Sequence, residues 1–145
     1  MKEMASENVE VVHHMYECFK TGNMERLRAE IFHPDIVWNL PGHHPLAGQK
    51  KGVDEVLGFF GKLRGAGLRV TPLGMGELTN GAVAEVYKAE GEGPDGAKLD
   101  VTNCNYYTVR DGKITEVTVL MGDQHNYDAF FWKAFQLKPV HERLA

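Results

Sequence analysis

Cysteine is scarce in this sequence. Only Cys18 and Cys104 occur among its 145 residues, and their wide spacing forms no CxxC pair, which excludes a disulfide framework and a multi-thiolate zinc site and leaves reduced thiols as the expectation. Long apolar runs are missing too. Nothing approaches the roughly 18 residues of a membrane span, and the opening MKEMASENVE has no signal-peptide core, so a soluble, cytoplasmic protein is expected, with no membrane partner. Basic charge is short: Lys and Arg number 16 against 20 Asp and Glu, a net charge of −4. With no basic stripe, the electrostatic footprint of a nucleic-acid binder is absent. Phosphate-cradling loops are lacking as well, since Gly74-Met75-Gly76 and Gly91-Glu92-Gly93 match neither GxGxxG nor a P-loop. No cofactor is expected. No HExxH occurs, and His13 and His14 as neighbours on a helix point about 100° apart. His14 and Cys18 have the four-residue spacing to share an ion, but no metal site is expected from that pair alone.

What is present is an ordinary globular composition, 43% hydrophobic and 25% charged, which predicts one domain with an interior of its own. Val9, Val12, Tyr16 and Phe19 fit one face of a first helix, ended by Thr21-Gly22-Asn23. Met24, Leu27 and Ile31 predict a second helix that stops before His33-Pro34, because the residue ahead of proline resists helical geometry. A short strand, 36–39, leads to the irregular loop 41–48, PGHHPLAG. Val53, Val56, Leu57, Phe60 and Leu63 mark a third helix. Four strand-like runs follow, near 68–78, 82–90, 98–110 and 113–121. Asn80-Gly81, Gly93-Pro94-Asp95-Gly96 and Asp111-Gly112 are the turns between them. A short terminal helix is expected around Tyr127, Phe130, Phe131 and Phe135. Three helices followed by an antiparallel meander predict an α+β domain with a curved sheet wrapped on the helices.

This order, with several local phrases, resembles the nuclear-transport-factor-2-like superfamily and its SnoaL-like members. The phrases are Tyr16-Glu17-Cys18-Phe19 before Thr21-Gly22-Asn23, Pro34-Asp35-Ile36-Val37-Trp38, Pro45-Leu46-Ala47-Gly48 with Gly52-Val53-Asp54-Glu55-Val56, Asp111-Gly112-Lys113-Ile114, and Asp128-Ala129-Phe130-Phe131. The resemblance implies a cone-shaped domain enclosing an apolar pocket, homodimerisation through the outer sheet face, and a small apolar ligand. It leaves activity open among isomerases, cyclases, dehydratases, hydrolases and non-enzymes. Against ketosteroid isomerases, the proton-shuttling aspartate falls at Asn39, the hydrogen-bonding acid near Asn105, and the tyrosine donor at Met15, one residue before Tyr16. Against SnoaL-type cyclases and limonene epoxide hydrolases, the working aspartate of the last strand falls near Val119. Asn39 does match the asparagine with which the epoxide hydrolases help hold a water.

Strand alternation proposes the lining. If Asn105 points inward, so do Asn103 and Tyr107; Val119 and Met121 share a face in the last strand, and Glu85 and Tyr87 are candidates from the neighbouring one. Tyr16, Asn39, Trp38 and Phe60 complete the expected substrate-binding set. Asp123 and His44 are the candidate acid–base pair, because a carboxylate at the rim of an apolar cavity has its pKa raised by desolvation. Each has a plainer reading: Asp123 as the cap of the terminal helix, His44 as a partner of a loop carbonyl. Glu85 is either a buried acid or, with a one-residue slip, an ordinary exposed charge. Three function classes therefore stand: an acid–base enzyme on a small carbonyl or hydroxylated compound, a non-catalytic carrier or sensor, and a dimeric interaction module.

Overall fold

The computed structural model describes residues 6–93 and 96–135. Helix α1, Glu7–Thr21, begins where the Ser6 side chain accepts from the Val9 N–H and ends at Gly22, whose φ of 72° is the left-handed geometry that a C-terminal cap requires. Its apolar residues form two adjoining stripes. Val9, Val12, Met15 and Cys18 are buried in the core, while Tyr16 and Phe19 are half-buried beside them.

The second helix differs from expectation. Only Met24–Arg26, α2, is α-helical, and the chain then widens into a π-helical turn, Leu27–Ile31. Leu27 and Ile31 are both buried. Strand β1, Phe32–Leu40, therefore starts earlier than the sequence suggests and contains Pro34. Its pairing with the last strand is irregular between Phe32 and Val37, and that unpaired stretch is where a residue without an N–H is tolerated. Strand β2, Gly48–Lys51, pairs antiparallel with β1. The sequence did not show it, because Gln49-Lys50-Lys51 is polar throughout and has no alternation to read. Helix α3, Val53–Gly65, buries Val56, Phe59 and Phe60.

Strands β3, Arg69–Glu77, β4, Val83–Glu92, β5, Lys98–Arg110, and β6, Lys113–Leu120, follow the expected runs closely. The Asp111-Gly112 turn has positive φ at both positions, 51° and 78°, the signature of a tight hairpin. Pro94 and Asp95 of the longer expected turn lie outside the described residues. Sheet order is β2-β1-β6-β5-β4-β3. All pairings are antiparallel except β1 with β6, which is parallel; the sheet is thus mixed at the point where its first and last strands meet. The short helix α4, Gln124–Ala134, closes the fold with Tyr127, Phe130 and Phe131 buried. The sheet is curved and unclosed and wraps the helices, an α+β cone.

Candidate functional site

Register across the sheet assembles the site. Glu85 lies opposite Asn105, and Asn105 opposite Val119; the next inward row runs Val83, Tyr107, Val117, Trp38. Against these rows stand α1 and α3, and the space left between them is a cavity of about 740 Å³, within the range of small-molecule sites. Its wall is mostly apolar. Phe60 packs edge-on to both Phe19 and Trp38, at centroid distances of 4.3 and 4.9 Å, so helix and sheet share one aromatic seam along the cavity.

The polar part of the wall is a chain of hydrogen bonds with one direction. The Tyr87 hydroxyl donates to Asn105 Oδ1 at 2.9 Å, Asn105 Nδ2 donates to the Tyr107 hydroxyl at 3.1 Å, and Tyr107 donates to Glu85 Oε1 at 2.7 Å. Glu85 has no solvent exposure, and its Oε2 has no hydrogen-bond partner among the described residues. The Tyr16 hydroxyl faces this carboxyl from α1. Tyr16, Tyr87, Asn105 and Tyr107 line the cavity, whereas Glu85 sits one layer behind them. Burial raises the Glu85 pKa above the usual carboxylate range, against the lowering by Tyr16 and Tyr107. Burial also raises Tyr16, Tyr87 and Tyr107, so all three remain protonated donors at neutral pH.

Tyr16, Trp38, Phe60, Tyr87, Asn105 and Val119 are thus brought onto the lining of one cavity. Four other expected residues are placed elsewhere. Asn39 faces the outer side of β1, where its amide accepts from Gln49 and lies against Val117 O and Thr118. Alternation forbids Trp38 and Asn39 from sharing a face, so Trp38 and Leu40 take the inward positions. Met121 packs against the core but is not on the cavity wall. Asp123 is exposed and caps α4, accepting from the Asn126 N–H at 3.2 Å, and it is not on the cavity lining. His44 has a fully buried side chain, but it is enclosed by α4, stacked on Phe131 and tilted against Tyr127. Its Nδ1 accepts from the Leu46 N–H at 3.1 Å, and its Nε2 stands 3.9 Å from Asp128 Oδ1. Asp123 and His44 therefore do not form a pair across the cavity mouth.

His13, at an exposed position, lies on the cavity lining, three residues before Tyr16 on the same face of α1. Nothing in local sequence distinguishes it from His14; only the direction of the helix does. No cluster of three or more metal-ligating side chains occurs among the described residues, and no described helix is long and apolar enough to cross a membrane.

An α-helical wall packed into a curved sheet, with its cavity at their junction, agrees with the family whose sequence profile matches residues 12–117, the SnoaL-like domain. The chain belongs to this family. The SnoaL-like domain is similar to the uncharacterized protein Rv0034 of Mycobacterium tuberculosis (strain ATCC 25618 / H37Rv), 28% identical over 127 residues that cover 86% of this chain and 95% of the relative. Among solved structures it resembles Bal32a from a soil-derived mobile gene cassette, with a TM-score of 0.81 and 25% identity over 88% of this chain and 98% of that one. It also shares its fold with TerC, co-crystallised with polyporic acid, at a TM-score of 0.73 and 23% identity over 87% and 98% of the two chains.

Proposed function

We propose that this SnoaL-like domain is a cofactor-independent enzyme that moves a proton on a small, mostly apolar carbonyl or hydroxylated compound. The observation that carries this reading is the buried Glu85 carboxyl, half-satisfied, behind a tyrosine–asparagine wall that faces a cavity of about 740 Å³. A carbonyl oxygen seated there accepts hydrogen bonds from the Tyr16 hydroxyl and from the Asn105 N–H that Tyr107 leaves free. His13, on the same lining, takes the proton from the adjacent carbon in this reading, and the electron pair of the broken C–H bond forms the C=C bond as the carbonyl π pair moves onto that oxygen. Glu85 acts through Tyr16: in its protonated form its Oε2–H donates to the phenol oxygen, which leaves the Tyr16 proton for the ligand oxygen as charge develops, the preorganisation that oxyanion sites require. TerC's co-crystallisation with polyporic acid is in keeping with a small-molecule ligand for this fold.

The test needs no knowledge of the natural substrate. Hydrogen–deuterium exchange at the carbon beside the carbonyl of 2-tetralone, followed by NMR in D2O, is expected to run about 10²- to 10⁴-fold above buffer. Tyr16→Phe is expected to remove about 10²-fold or more of that. Binding of 2-tetralone with exchange no faster than buffer would instead leave the carrier reading, which the amide of Asn105 and the apolar side chain of Val119 on the cavity lining, where the resemblance sets a working acid, favour. We also propose that a second copy covers the outer sheet face, where Val86 and Leu120 are 43% and 54% exposed and flank Cys104 in one cross-strand row.

A further inference from the structure

The mouth of the cavity is charged, and its charges are not distributed evenly. Five ionisable side chains stand on it: Glu10, His13, Glu17 and Lys20 from α1, and Arg64 from α3. The β3 side contributes only Val70 and Pro72. Arg64 Nη2 donates to the Phe19 carbonyl at 2.9 Å, and that carbonyl belongs to the peptide joining Phe19 to Lys20. Arg64 is therefore held at the C-terminal end of α1, the end that carries Lys20, and both line the same opening. Neither has a carboxylate within ion-pair distance among the described residues. Glu17, three residues before Lys20, is turned instead toward Arg26 at 3.6 Å. Glu10 lies ten residues back along the helix, about 15 Å of axial rise, farther than the roughly 8 Å screening length at physiological salt. Arg64 spends one N–H on Phe19, and the remainder of its planar fork has no partner among the described residues.

Tyr16 is one helical turn from Lys20, about 6 Å along the axis. Between them and across the cavity lie Phe19, Trp38, Phe60 and Leu63. A ligand that fills this space meets hydroxyl and amide donors at one end, an aromatic seam along its body, and at the other two cations that have no carboxylate partner among the described residues. Resting on the reading of this cavity as the ligand site, we propose that the natural ligand carries a carboxylate, held by Lys20 and Arg64, at the end opposite the oxygen read by Tyr16 and Asn105.

The probes are 6-hydroxy-2-naphthoate and its methyl ester, which share ring and phenol and differ in the anionic group. Fluorescence titration at low ionic strength is expected to show the acid binding about tenfold tighter than the ester, as a charge-assisted contact supplies. That preference should shrink as salt is raised. The double variant Lys20→Met with Arg64→Met should bring the acid's Kd up to that of the ester, whereas Arg110→Met, a charge removed from the far end of β5, should keep the preference. If the double variant fails to melt cooperatively, Lys20→Met alone, at an exposed position, should lose part of it. Equal affinities of acid and ester in the wild-type protein would overturn the carboxylate inference and leave the cavity reading standing. Saturable binding of neither compound would remove the cavity reading, and the inference with it.

Discussion

Glu85 is buried on a strand whose outward neighbours, Ala84 and Val86, are more exposed, so its charged form is penalised only in the folded state. Because its folded pKa lies above the unfolded one, the folded protein holds this proton more tightly, and stability falls as pH rises from the free carboxyl's range through the raised value. Glu85→Gln keeps an acceptor for Tyr107 and carries no charge. Its melting temperature should exceed wild type at pH 8, with the gain shrinking toward pH 4, measured by calorimetry across that range. The same variant should alter the pH profile of 2-tetralone exchange, which a purely structural role would not. His44 behaves in the opposite sense. Desolvation lowers its pKa, with Lys50 adding to the lowering and Asp128 opposing it; the folded state therefore favours neutral imidazole. Stability should decline as pH drops below the free histidine's value near 6.5, with a slope of at most about 1.4 kcal/mol per pH unit, and His44→Phe should flatten that slope.

At the scale of elements, α4 is held from two sides. Asp123 caps it, and loop 41–47 is strapped along it: the His43 N–H donates to Asp128 Oδ2 at 3.3 Å, and Trp132 Nε1 donates to the His43 carbonyl at 2.6 Å. Gly42 sits inside this strap with a φ of 110°, and a Cβ there would collide with the Gln124 and Asp128 side chains, so only glycine fits. Asp123→Ala should cost about 1 kcal/mol of stability, while Asp123→Asn, an equally good cap, should leave both the denaturation midpoint and 2-tetralone exchange at wild-type values. The pair separates capping from catalysis, because loss of exchange in Asp123→Asn would return that carboxyl to the mechanism. The helix end at Gly22 and the Asp111-Gly112 hairpin turn were legible in the sequence, since both act through their own backbone geometry. The π-helical turn at Leu27–Ile31 and the polar strand β2 were not, because both exist through what they pack or pair against.

For the whole molecule, the outer face of the sheet is the remaining apolar surface of consequence. Leu120→Lys should shift a dimer toward monomer in sedimentation velocity while the fold persists, since Leu120 is 54% exposed in the single chain; an unchanged sedimentation coefficient in a dimeric wild type would place the interface elsewhere. Helix periodicity, strand alternation and turn chemistry are local properties, and they determined the α+β class, the order of the main elements and the shared facing of Asn103, Asn105 and Tyr107, while leaving Glu85 open between core and surface. Tertiary structure decided the rest. It chose burial for Glu85, set Asn39 outside and Trp38 inside, sent Asp123 to a helix cap and His44 under α4, and brought His13, Lys20 and Arg64 to one opening. The physical reason is distance: a side chain's facing follows from its own strand or helix, but its partners come from segments tens of residues away, and only the packed chain fixes which of them it meets.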